Sequence, residues 1–371
     1  MALPCCTQCG VARPDPPVGR YGYHKLALAP LLSWPDSVLE EIAALSPSSK
    51  EGLFAFIRSN GLGPMWLQLL KQYPQFPIFN EELLQLFKRD SLELAARYLI
   101  QKHVLKTVAA IFNEKSIAHA VFKGAHIREL LYDSPSVRPA VDIDILIHPA
   151  DVSESIEALT GIGFSLEVKE QNVSHEVTLY YKNVAVDLHW HILRPGRLRM
   201  SLTDEFLARR QNHQAHSGFD SETTVFIMLV HPVFTKYSTT SMASLVRFVD
   251  LLQWVEKQPI DWKNLLNMLS RYGVCTAAWI TARYLYEITG KSLPDDFMLK
   301  IRPSFLKRIY LNIWIRYDLA SKLMLYPFLI QIGLTLPAQD RFSDAVRFVK
   351  TLSAANMLAG KRKQELLAAK R

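Results

Sequence analysis

The run Val141-Asp142-Ile143-Asp144-Ile145-Leu146-Ile147 limits what this chain can be more than any other stretch. Apart from the two aspartates it is apolar and mostly β-branched, which predicts a central strand over residues 140–147. Strand side chains alternate between faces, so Asp142 and Asp144 project from the same one. Two carboxylates so close repel each other, and in a buried strand they cost stability unless a cation compensates. Mg²⁺ meets that need, because it prefers hard oxygen ligands and combines one or two carboxylates with substrate phosphates. Mn²⁺ accepts the same ligands. A strand end whose two aspartates face water is the competing explanation.

Two neighbouring features favour the cation. His119-Ala120-Val121-Phe122 predicts a short buried strand ending at Lys123-Gly124. A glycine there lets backbone approach a phosphate, and the N-terminus of the following helix attracts anions. Arg138, just before the paired aspartates, has a planar fork suited to phosphate oxygens. Lys123, Gly124 and Arg138 are therefore candidate phosphate ligands. Further on, Val186-Asp187-Leu188-His189-Trp190-His191 alternates again. Asp187, His189 and His191 share one face, and if this strand lies beside the first, Asp187 completes a carboxylate triad. His189 and His191 are read as hydrogen-bonding support around that triad. Zinc binding by this strand finds no further His or Cys cluster to complete it. Three carboxylates on adjacent strands suit in-line displacement at phosphorus, with two metal ions clamping the attacking and leaving oxygens.

Around these motifs the pattern is helix, then α/β, then helix. Residues 1–35 are rich in Pro and Gly and read as an irregular lead-in. Residues 36–116 form a helical region, with helices expected at 54–59, 65–72 and 80–113, the last containing a break. Residues 117–202 form an α/β core, with helices at 125–132 and 152–160 and strands at 164–168, 176–181 and 185–192. Lys182-Asn183 supplies a hairpin turn. Residues 203–371 return to helices, expected at 222–233, 241–257, 262–272 and 276–289. The 371 residues are 49% hydrophobic and 21% charged, with a net charge of +8, values that suit a folded chain with anionic ligands. Three of four cysteines lie in the first nine residues. That is no disulfide framework, and Cys6-x-x-Cys9 is only half of a zinc knuckle. No signal peptide or transmembrane segment is expected, so a cytoplasmic location is. Lys361-Arg362-Lys363 and Lys370-Arg371 read as a solvated tail.

Phe122-Lys123-Gly124-Ala125, Leu131-Tyr132, Arg138-Pro139, Asp142 to Ile147, Ala158-Leu159, Gly163-Phe164 and Val186 to Trp190 together resemble the uncharacterised nucleotidyltransferase family of the DNA polymerase β-like superfamily. His231, Asp250-Leu251 and Asp261-Trp262 continue the resemblance, which spans residues 40–300. It implies an α+β fold, with a small mixed-sheet palm flanked by N-terminal and C-terminal helical regions. It also implies divalent-metal dependence and transfer of a nucleoside monophosphate from an NTP, ATP among them. Metal ligation would fall to Asp142, Asp144 and Asp187, and phosphate binding to Gly124, Lys123 and Arg138. The wider superfamily has Gly-Ser at the turn, whereas here Gly124 precedes Ala125, so the hydroxyl is missing and Lys123 stands in for it. The acceptor (small molecule, glycan precursor, peptide or protein) and the oligomeric state are not legible. No nucleic-acid template is expected, since no basic-aromatic stripe tracks one. Two other readings stay open: a nucleotide-binding regulatory protein that has lost turnover, and a DxD nucleotide-sugar glycosyltransferase.

Overall fold

The computed structural model describes residues 21–32, 35–168, 175–214, 216–236 and 245–351. The amino-terminal cysteines and the carboxy-terminal basic cluster lie outside these residues. Before the sheet come α1 (Gly22–Leu32), α2 (Pro35–Ala43), α3 (Pro47–Ser59), α4 (Gly63–Gln72) and α5 (Glu81–Glu114). The stretch expected to be irregular up to residue 35 is thus helical from Gly22, even with Pro30 inside. The helix expected to break runs unbroken for 34 residues. Asn80 starts it by accepting the Leu83 N–H, and Glu81 and Glu82 follow in the first turn, where acidic charge complements the helix dipole.

The α/β core follows as β1 (His119–Phe122), α6 (Lys123–Leu131), β2 (Asp142–Ile147), α7 (Val152–Gly161), β3 (Ser165–Glu167), β4 (Glu176–Tyr181) and β5 (Val184–His189). Lys182 and Asn183 both have positive φ, as a two-residue hairpin requires. After α8 (Thr203–Ala208) the chain re-enters the sheet as β6 (Arg210–Asn212) and β7 (Ser217–Phe219). The sheet therefore runs on past residue 202, where only helices were expected. The seven described strands take the order β3-β4-β5-β2-β1-β7-β6. β1 is antiparallel to β2, β2 is parallel to β5, and β7 is parallel to β1, so the sheet is mixed and the fold α+β. The helices α9 (Ser221–His231), α10 (Val246–Lys257), α11 (Trp262–Tyr272), α12 (Cys275–Thr289), α13 (Asp295–Lys300) and α14 (Phe305–Arg316) complete the frame, followed by short helical turns.

Alternation divides the sheet into a dry face and a working face. Ile143, Ile145 and Ile147 of β2, Val184, Val186 and Leu188 of β5, and Val177 and Leu179 of β4 share one apolar core with Val104, Val108 and Phe112 of α5 and with α7. The intervening residues Asp144, Asp187, His189, Glu176 and Thr178 therefore face the other side, towards the helical regions. None of the helices among the described residues is long and apolar enough to cross a membrane.

Candidate functional site

Strand register builds the site. β2 and β5 run parallel with Asp144 opposite Asp187, and β4 places Thr178 opposite Asp187 and Glu176 opposite His189. β1 places Phe122 opposite Asp144, so the next residue, Lys123, reaches it directly. Ligand atoms of Asp144, Asp187 and His189 all lie within 4.8 Å of one another. Nε2 of His189 is 2.9 Å and Nζ of Lys123 2.6 Å from Oδ1 of Asp144. The Thr178 hydroxyl donates to Oδ1 of Asp187 at 2.7 Å.

Lys123 achieves this with φ +54, a left-handed conformation that costs a side chain of its kind about 1–2 kcal/mol. Burial alone would lower its pKa, but Asp144 and Asp142 outweigh burial and raise it, so the ammonium persists. The Asp187 carboxyl is raised above its ordinary range; burial is the larger cause, and repulsion by Asp144 adds to it. Two carboxylates and an imidazole nitrogen at such spacing fit a divalent cation.

Glu176 was not anticipated from the sequence. Burial pushes its carboxyl up to about 7, with Lys123 opposing and Asp187 and Asp144 adding to the rise. Its Oε2 is 3.1 Å from Nδ1 of His189, outside hydrogen-bond alignment. Burial first and Lys123 next keep the His189 ring neutral. In the metal-free protein Nε2 of the neutral ring lies against the Asp144 carboxylate and Nδ1 lies beside Glu176. Burial and the neighbouring Asp187 and Asp144 carboxylates disfavour the ionised form of Glu176, so the fold retains its proton. The folded state therefore binds this proton more tightly than the unfolded chain does, and stability is lost as pH rises from about 4.5 through about 7. Without metal, Glu176→Gln is expected to flatten that loss and to raise the melting temperature relative to wild type at pH 8, an advantage that disappears at pH 4. Parallel melting curves of the two proteins in chelator would reject this account if the difference did not change with pH.

The remaining expected residues fall elsewhere. Asp142 is half-buried and one alternation along from Asp144 on the same face, opposite Ala185 rather than Asp187. β5 ends at His189, so the alternation expected to bring His191 onto the shared face does not extend to it. The Arg138 guanidinium is buried on Asp250, with Nη2 2.6 Å and Nε 3.2 Å from Oδ2, and Nη1 donates to the Pro139 carbonyl. Tyr132 donates to the other oxygen of Asp250 at 2.7 Å. Arg138 thus grips a carboxylate inside the protein where a phosphate had been expected. Gly124 sits under this fork: a Cβ there would overlap Nη1 of Arg138 and lie 3.2 Å from Cβ of Ala140. The glycine is needed for the arginine's passage, whatever else approaches it. Gln101 of α5 was also missed. It donates to the carbonyls of Ala140 and Val141 and accepts from Arg128 at 2.6 Å, so it holds the start of β2 in place.

The sequence model of a family described as uncharacterised nucleotidyltransferase matches residues 46–290, from α3 to the end of α12. The chain belongs to this family. No curated protein matches it.

Proposed function

We propose that this member of the nucleotidyltransferase family transfers a nucleoside monophosphate from an NTP to an acceptor at the Asp144–Asp187–His189 cluster. The observation that carries this reading is the direct opposition of Asp144 and Asp187 on parallel strands, with three ligand atoms within 4.8 Å. Asp144, Asp187 and His189 would hold a divalent cation, Mg²⁺ or Mn²⁺, with Asp142 at the edge of the same face. Bound there, the cation supplies charge neutralisation for the triphosphate and for the departing pyrophosphate. The acceptor oxygen bonds to the α-phosphorus as the bond to the β-phosphate bridging oxygen breaks. Asp187 takes the acceptor proton. Lys123, which reaches Asp144 from a left-handed backbone position at the turn, would bind the phosphates. Arg138, with Asp250, holds the Gly124 turn in place for this, and Glu176 keeps His189 oriented. The acceptor is a small molecule, glycan precursor, peptide or protein.

A second reading is favoured by the Lys123–Asp144 pair itself. At 2.6 Å the ammonium already neutralises the carboxylate, as in a core that binds nucleotide without turning it over. Thermal titration with Mg²⁺ and each NTP, followed by an acceptor screen for pyrophosphate release, separates the two. A metal-dependent stabilisation of about 2.7 kcal/mol is expected at a hundredfold excess over Kd. No shift with any NTP in folded protein rules out both readings, and a shift with no pyrophosphate release from any acceptor class favours the second.

A further inference from the structure

The carboxy-terminal helices present a second, chemically distinct surface. α14 turns Phe305, Leu306, Ile309, Tyr310 and Ile313 outward in one stripe at helical spacing, continued by its C-cap Tyr317, with Phe305 65% and Leu306 77% exposed. The segment after it exposes Leu325, Tyr326, Phe328, Leu329 and Ile332. The two are joined: the Tyr310 hydroxyl donates to the Gly333 carbonyl at 2.8 Å, and Trp314 packs where a Gly333 side chain would be. Isolated exposed apolar residues are ordinary, but a continuous aromatic and aliphatic face of this kind marks a contact surface.

Charge indicates what covers it. Residues 301–351 contain eight Lys or Arg, three Asp and no Glu. Two of those aspartates are engaged inward. Asp340 accepts from the first backbone N–H groups of α12, and Asp344 pairs with Arg199 at 2.8 Å. Beside the apolar stripe, a cleft of about 670 Å³ between α12, α13 and α14 is lined by Arg283, Arg302 and Arg308, with Asp295 its one acid. A second copy of this chain would bring two cationic faces together, which opposes association. An anionic lipid surface offers the complement to both features, taking apolar side chains at the acyl boundary and arginines among the headgroup phosphates.

We propose that the face formed by α14 and residues 325–332 docks on an anionic phospholipid surface, with Arg302 and Arg308 meeting headgroup phosphates. The protein then lies on the bilayer without spanning it. This surface is separate from the carboxylate cluster, so the proposal stands or falls independently of the transfer reaction.

Flotation of the full chain with vesicles tests it. Binding is expected with phosphatidylcholine containing phosphatidylglycerol, to be weakened by salt, and to be absent with phosphatidylcholine alone. Phe305→Ser combined with Phe328→Ser, and separately Arg302→Glu combined with Arg308→Glu, should each lower partitioning at least about tenfold at unchanged melting temperature. No binding to the anionic vesicles, or equal binding by both variants, overturns the proposal. A dimer in solution that Phe305→Ser dissociates, with no vesicle binding, overturns it in favour of a second copy.

Discussion

Asp187→Asn is expected to cut nucleotidyl transfer by about 10³-fold or more while leaving the metal-free protein more stable than wild type at neutral pH. The two effects have one cause. A carboxylate whose pKa is raised in the folded state binds its proton more tightly there than in the unfolded chain, so its ionisation destabilises the fold as pH rises through the folded value. Asparagine keeps the size and an acceptor for Thr178 but removes the charge that opposes Asp144. The same charge is what would hold the cation and take the acceptor proton, and losses of this size follow removal of one such group. Asp144→Asn should reduce transfer as strongly but also lower stability, because Lys123 would be left buried without its carboxylate. Melting curves in chelator together with a pyrophosphate-release assay distinguish the pair. If both variants melted lower and both kept activity, the cluster would be structural only.

Asp250→Ala should have the largest effect on stability, about 3–5 kcal/mol, or on the order of 10 °C in melting temperature. It removes the carboxylate that pairs with the buried Arg138 and strands the Tyr132 hydroxyl. The guanidinium would then lie in a dry setting with only the Pro139 carbonyl, and the Gly124 turn beneath it would lose its clamp. NTP affinity should fall with it, since Lys123 starts that turn. If Arg138 were instead a phosphate ligand held in reserve, Asp250→Ala would release it, and NTP binding would tighten with little loss of stability. Denaturant unfolding and NTP titration on the same variant therefore separate a positioning role from a ligand role.

The strand carrying Asp142 and Asp144, the strand carrying Asp187, and the lysine turn were all legible, because each is a local pattern. Two-residue alternation within a β-branched run sets which side chains share a face, and Lys182-Asn183 sets the hairpin that brings β4 back along β5. Helix content in α3 to α5 and α9 to α12 follows from 3.6-residue periodicity in the same way. The expected break in α5 failed because its buried positions, Phe87 at one end and Val104, Val108 and Phe112 at the other, lie in two different cores. One unbroken helix serves both, so the apolar stripe changes direction along it.

What the tertiary structure alone decided is which distant groups meet. β7 carries Gly218, and a side chain there would overlap the buried His126 ring; three residues paired to β1 through one register position leave no periodic trace. The commitment of Arg138 to Asp250 joins residues 112 positions apart, and nothing near Arg138 distinguishes a carboxylate partner from a phosphate. Glu176 looks like an ordinary exposed strand residue until the β4–β5 register sets it beside His189 and burial raises its pKa. Alternation is set by covalent geometry and is readable from neighbours in the chain. Partner choice, dehydration and the resulting proton affinities depend on what other segments bring, and these appear only when the chain has closed on itself.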